Sequence, residues 1–341
     1  MTHIIFLIAL FFTFPDLNKK YPFFIFTFST LFLFLALRYD YGNDYMAYFD
    51  IHNAINAGLP AWGQRDILFK YLNLLIPNFY WYIAIVGLFY ILTIYYMIKN
   101  NLSMKDYWFS ILLLLINPYL FLVHLSSLRQ TFAICFVIIA TNFAVKRKLL
   151  MYCLFILIAV GFHKSAMILL PVYFILNDSK IKKKWIVLTY ALIGLLIGTP
   201  LFEILLYRIL EYFPIHYTYY FEQGFQNSLR ATLISSFFFF LVILNINKLK
   251  GKEMIYGKLS LIATIISLLA IKTSMITRVG MYFDIFLIIT IPQIFSKIEV
   301  KAYRQILFII MILIYLLRYF SFFNNPIWTD AYSTYTTILN K

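Results

Sequence analysis

Long apolar runs separated by short polar breaks fill this chain. They fall at about 3–14, 21–37, 79–98, 107–123, 128–145, 149–162, 164–177, 185–201, 230–247, 258–272, 279–296 and 305–320. A helix needs roughly 20 apolar residues to cross the hydrocarbon of a bilayer, so these runs, some of them short, predict about twelve transmembrane helices. Residues 67–77 add a tilted or re-entrant piece. Residues 3–14 have the length of a signal-peptide core, yet no Lys or Arg precedes them and no small-residue cleavage site follows. They are read as an uncleaved first segment. Little length remains for a soluble domain, and there is neither repeat nor Pro/Gly-rich linker. The expectation is one all-α, polytopic integral membrane domain spanning 1–341.

The polar breaks give an orientation. Lys19-Lys20, Lys99 to Lys105, Lys146 to Lys148, Lys180 to Lys184, Lys248 to Lys258 and Lys297 to Arg304 occupy alternate connections. They hold eighteen of the 29 Lys and Arg, so the positive-inside rule makes them cytoplasmic. Both termini and the larger loops, about 38–66 and 202–229, then face outward. Composition agrees with a membrane protein, at 63% hydrophobic and 13% charged with a mean hydropathy of +0.83. The net charge of +15 does not point to nucleic acid, because the cations sit in short clusters between apolar runs and make no basic face. Cys135 and Cys153 fall inside apolar runs and are read as packing residues.

Lys and Arg separate by side. Sixteen of twenty Lys are cytoplasmic, whereas seven of nine Arg (38, 65, 129, 208, 230, 278 and 318) lie at or near outer helix ends. Orientation needs only charge, which Lys supplies; the planar guanidinium adds a bidentate grip on phosphate or carboxylate. Snorkelling accounts for part of the bias. The chain has no Walker loop, His-Glu-x-x-His, Cys-x-x-Cys or Gly-x-Ser-x-Gly, so ATPase, zinc peptidase and serine hydrolase readings find no support. What remains outside is Arg38, Arg129, His163, Lys164 and Arg278, with Asp40, Asp44 and Asp66 as carboxylates. Ser127-Leu-Arg-Gln130 has the spacing of a capping box and would start a helix there, fixing Arg129 in its first turn. A neutral His163 is able to take a proton from a hydroxyl. The segment 202–229, with Glu203, Arg208, Glu211, His216, Glu222 and five tyrosines, suits an interfacial amphipathic stretch, with sugar stacking as the other reading.

Four motifs, in order, resemble the EpsG-like, Wzy-type polysaccharide polymerases of bacterial envelopes. They are Arg38-Tyr-Asp-Tyr-Gly42-Asn-Asp44-Tyr45 with Tyr48; Ser127-Leu-Arg129-Gln130 with Ala133; His163-Lys164-Ser165-Ala166 followed by Pro171; and Arg278 preceding Tyr282-Phe283. Where the family has Glu-x-Gly-Tyr, this chain has Asp66-Ile-Leu-Phe69, which keeps a carboxylate on a shorter arm and loses the glycine. The resemblance implies a glycosyltransferase of the bacterial cytoplasmic membrane that joins polyprenyl-diphosphate-linked oligosaccharide repeat units on the outer side. Donor and acceptor are both lipid-linked, and a flippase and a chain-length regulator are the expected partners. It implies no cofactor and no metal, although Asp40 and Asp44 are four apart, a spacing that Mg²⁺ can use. Arg38, Arg129 and Arg278, with Lys164 in support, would hold the departing diphosphate; His163, or else Asp44, would accept the proton. A transporter or flippase of lipid-linked oligosaccharide is the competing class, and an O-antigen ligase-like transferase or an acyltransferase competes among the enzymes.

Overall fold

The computed structural model describes residues 1–14, 23–178, 182–210, 229–272 and 274–340. Lys19-Lys20, Lys180 and most of the loop read at 202–229 lie outside these residues. The described chain is mostly helical and is a multi-pass membrane protein. Among the described residues, four helices are long and apolar enough to cross a membrane, and up to six if each of two bent pairs is one span. Contacts group the chain into two compact units, 1–173 with 291–341, and 174–290.

In the first unit, α1 (Thr2–Phe11) packs on α2 (Phe23–Ala36), where the Thr27 hydroxyl donates to the Ala9 carbonyl at 3.0 Å. A loop with a two-residue strand, β1 (Arg38–Tyr39), leads to α3 (Tyr45–Asn56) and α4 (Ile67–Leu75). The long α5 (Phe79–Asn101) is started by Asn78, whose side chain accepts from the backbone of Tyr80 and Trp81. A Cβ at Gly87 would lie 3.1 Å from Leu35, so glycine lets α5 approach α2 closely.

The apolar run 107–123 is not one helix. It breaks at Asn117 into α6 (Tyr107–Ile116) and α7 (Pro118–Ser126), bent by 58°. Proline cannot continue the ladder of the preceding turn and holds its predecessor extended; Asn117 sits at φ −104°, ψ 95°. The runs at 128–145 and 149–162 coincide with α8 (Leu128–Val145) and α9 (Leu149–Phe162). Aromatic contacts between α8 and α9 bind the pair, with Phe136 and Phe162 stacked at 5.5 Å. A 3₁₀ turn (Lys164–Leu169) and α10 (Val172–Asn177) follow.

The second unit contains α11 (Lys183–Ile197), α12 (Pro200–Leu210), α13 (Leu229–Asn245), α14 (Lys252–Leu269) and α15 (Ser274–Asp284). Tyr190 stacks on Phe239 at 3.7 Å and its hydroxyl donates to Ser235, which donates to the Thr264 carbonyl, so α11, α13 and α14 share one polar seam. Lys258, placed by sequence among the cytoplasmic lysines, points inward: its ammonium donates to the carbonyls of Ile175, Leu176 and Asp178, capping the end of α10. Lys272 is buried against Glu203 at 3.1 Å.

The helix α16 (Leu287–Ser296) leads into α17 (Lys301–Phe323), α18 (Pro326–Tyr332) and β2 (Thr336–Thr337). The last three lie in the first unit. Sequence patterning gives no hint of β2, which pairs antiparallel with β1, Arg38 opposite Thr337 and Tyr39 opposite Thr336.

Candidate functional site

Two buried arginines organise the polar motifs of the first unit, and they do different work. Arg38 is 2% exposed. Its Nη2 donates to the Leu125 carbonyl at 2.9 Å and its Nη1 to the Tyr41 carbonyl at 3.2 Å. Leu125 lies in the last turn of α7, so the guanidinium satisfies a helix-end carbonyl and sets a positive charge against the negative end of the helix dipole. The Tyr45 ring flanks it at 5.5 Å, and the Tyr45 hydroxyl donates to the Arg38 carbonyl.

The C-terminal segment closes over this loop. The Gly42 amide donates to the Ala331 carbonyl at 3.0 Å, and the Tyr332 hydroxyl donates to the Leu122 carbonyl at 2.9 Å. Its single proton being used there, Tyr332 accepts from the Ser126 hydroxyl at 2.5 Å. The Tyr335 hydroxyl donates to the Phe34 carbonyl at 2.7 Å. Gly42 stands at φ +118°, and a Cβ there would meet Ser126 Oγ at 3.0 Å and Arg38 Nη1 at 3.4 Å. Gly42→Ala is therefore expected to lower stability by about 1–3 kcal/mol, the range for a strained backbone position. A thermal midpoint in detergent equal to that of the parent would remove this constraint.

Arg129 lies in the first turn of α8 and is also buried. The helix begins where the spacing places it, with Ser127 as N-cap. Its mechanism differs: Ser127 makes no side-chain capping bond, and the Thr131 hydroxyl instead donates back to the His124 carbonyl. Arg129 Nη1 donates to Asp66 Oδ2 at 2.5 Å, both side chains being less than a tenth exposed. The Trp62 ring covers the guanidinium with its centroid 4.0 Å from Cζ, and Phe69 flanks it at 5.6 Å. The Tyr48 hydroxyl also meets Arg129. Gly63 runs against the guanidinium at φ +88°, where a Cβ would fall 2.9 Å from Nη1. Burial raises the Asp66 carboxyl from its ordinary value, against the opposite pull of Arg129 and Lys164. Asp66, the residue at which this chain departs from the family pattern, is thus the direct partner of Arg129.

His163 and Lys164 reach the same neighbourhood from a third helix. Gly161, near the end of α9, packs so closely on Leu68 of α4 that a Cβ would fall 2.6 Å from it. His163 then ends α9 in an extended conformation (φ −155°, ψ 113°), half-buried, and Lys164 opens the 3₁₀ turn, exposed. Lys164 acts electrostatically on Asp66. The start of α4, the start of α8 and the end of α9 therefore converge, with Asp66 paired to Arg129 and within electrostatic reach of Lys164, the residue after His163. The helix N-termini of α4 and α8 contribute partial positive charge to this convergence.

Asp44 is the half-buried N-cap residue of α3, without a side-chain capping bond, and Asn43 donates to it at 3.3 Å. Asp40 is exposed, at φ +46°. Among the described residues, no three metal-ligating side chains come together. Arg278 is exposed on α15 in the second unit. Sequence reasoning missed Trp62 and Tyr332; the signal for Trp62 was a tryptophan beside Gly63, four residues before Asp66.

In comparison with known proteins, no curated protein and no solved structure matches. A family model described as "EpsG family" matches residues 20–337, a span that takes in all four motifs and both buried arginines. The chain belongs to the EpsG family.

Proposed function

We propose that this protein is a polysaccharide polymerase of the bacterial cytoplasmic membrane, transferring a growing glycan from its polyprenyl diphosphate to a sugar hydroxyl of a new lipid-linked repeat unit. The family match over 20–337 carries this reading. The short apolar helices insert as well, giving about twelve crossings, and the convergence of α4, α8 and α9 faces the extracytoplasmic side. In the transfer, the acceptor oxygen bonds to the anomeric carbon as the bond from that carbon to the diphosphate oxygen breaks. The acceptor's proton goes to His163, with Asp44 as the second choice, and the polyprenyl diphosphate leaves with the bonding electron pair. Cations held where negative charge grows stabilise the transition state more than the ground state.

The burial pattern divides the labour among the cations. Lys164 and Arg278 are exposed and suited to touch phosphate directly. Arg129, buried and held by Asp66 and Trp62, acts on the diphosphate as a fixed positive charge. Arg38, both of whose terminal nitrogens bond backbone carbonyls, shapes the loop instead of gripping ligand. Deleting the gene decides between enzyme and transporter. A polymerase predicts single repeat units at the surface of the deletion strain and no polymer; absence of both would favour a flippase, and unchanged polymer would end the proposal.

A further inference from the structure

Arg129 is sandwiched in a way that leaves one large aromatic surface unused. Trp62 lies with one face on the guanidinium, 4.0 Å from Cζ, yet the residue is 62% exposed. Exposure alone says little in a membrane protein, since Trp81 and Trp185 are as exposed on apolar helices. Two features set Trp62 apart. It stands on the loop between Gly58 and Asp66, not on a helix, with the charged Arg65, Asp66 and Lys164 nearby in sequence or space. It is also fixed: the φ +88° turn at Gly63 and the Arg129–Asp66 pair beneath allow the indole little choice of position.

Such a surface fits a ligand with an apolar face and a polar rim. A lipid chain has no use for the surrounding charges, whereas a pyranose presents axial C–H bonds to a ring and hydroxyls to the groups around it. In a glycosyl diphosphate, only the glycosidic oxygen separates the sugar ring from the first phosphorus. A group that stacks on that sugar must therefore adjoin the group that holds that phosphate. Trp62 and Arg129 are in contact. A bare cation behind the indole would draw electron density from its outer face; the Asp66 carboxylate at 2.5 Å compensates that charge.

We propose that the outer face of Trp62 is a stacking platform for the sugar bonded to the diphosphate of the donor. This rests on the polymerase reading and adds to it a subsite and its ligand class. The test complements the deletion strain with full-length Trp62→Phe, Trp62→Tyr, Trp62→Leu and Trp62→Ala at matched membrane abundance, and reads the amount and length of surface polymer. Phe and Tyr are expected to keep most of it. Leu and Ala are expected to lose about tenfold, the factor corresponding to 1.4 kcal/mol of lost contact. Leu performing as well as Phe would make Trp62 an apolar anchor and overturn the platform alone; so would Phe and Tyr failing together with Leu, or all four behaving as the parent. Should Ala or Leu fail to accumulate, the aromatic pair still decides, because a platform requires both to polymerise. Polymer persisting in the uncomplemented deletion strain overturns the polymerase reading and the platform with it.

Discussion

Surface polysaccharide from a His163→Ala strain is expected to consist of single repeat units, with polymer reduced by about a hundredfold or more, the lower range for loss of a positioned general base. The protein itself should reach the membrane in normal amount. His163 ends α9 half-buried in an extended conformation, and its neighbours hold that end as well, with Gly161 against Leu68 and Phe162 against Phe132 and Phe136. Glycan length by gel, set against membrane abundance by immunoblot, measures both. A variant that polymerises normally would free His163 of the proton-accepting role and turn attention to Asp44→Ala.

The second large effect concerns the Arg129–Asp66 pair and splits stability from activity. Arg129→Met leaves the Asp66 carboxylate buried without its counter-charge, and breaking a buried pair from one side costs about 3–5 kcal/mol. Methionine still fills the space against Trp62 and Phe69. The double variant Asp66→Val, Arg129→Met removes both charges, and replacing a buried pair by apolar residues of similar volume is often close to neutral. The expected pattern is a low thermal midpoint in the single variant, a midpoint near the parent's in the double, and no polymer from either. Polymer recovered by the double variant would show that Arg129 serves the fold alone. A single variant as stable as the parent would show that the pair contributes little to holding α4 against α8.

Much of the helical frame could be read from the chain because insertion into lipid depends on local apolar content. The ends of α8 and α9 coincide with their runs for that reason. The break at Asn117 was less visible, since the run of apolar side chains continues through Pro118 and only backbone chemistry interrupts it. The arginines stood out by type and by their separation from the lysine clusters, but their partners did not. Asp66 is 63 positions from Arg129, and no local pattern joins residues so far apart. Lys258 illustrates a different limit: a lysine that orients the chain and a lysine that caps a helix look alike in sequence, and only the three carbonyls around the ammonium distinguish them. The segment after Asn325 lacked an apolar run and so lacked a signal, although it supplies β2, Tyr332 and Tyr335 to the Arg38 loop.

That last contact has a consequence for biogenesis. Tyr335 bonds to the Phe34 carbonyl across 301 positions of chain, so the ribosome delivers Phe34 long before its partner. The first motif is therefore made early and waits in the membrane until residues 331–337 emerge and lock it. A nascent copy that had not yet reached them would carry all four motifs without this lock.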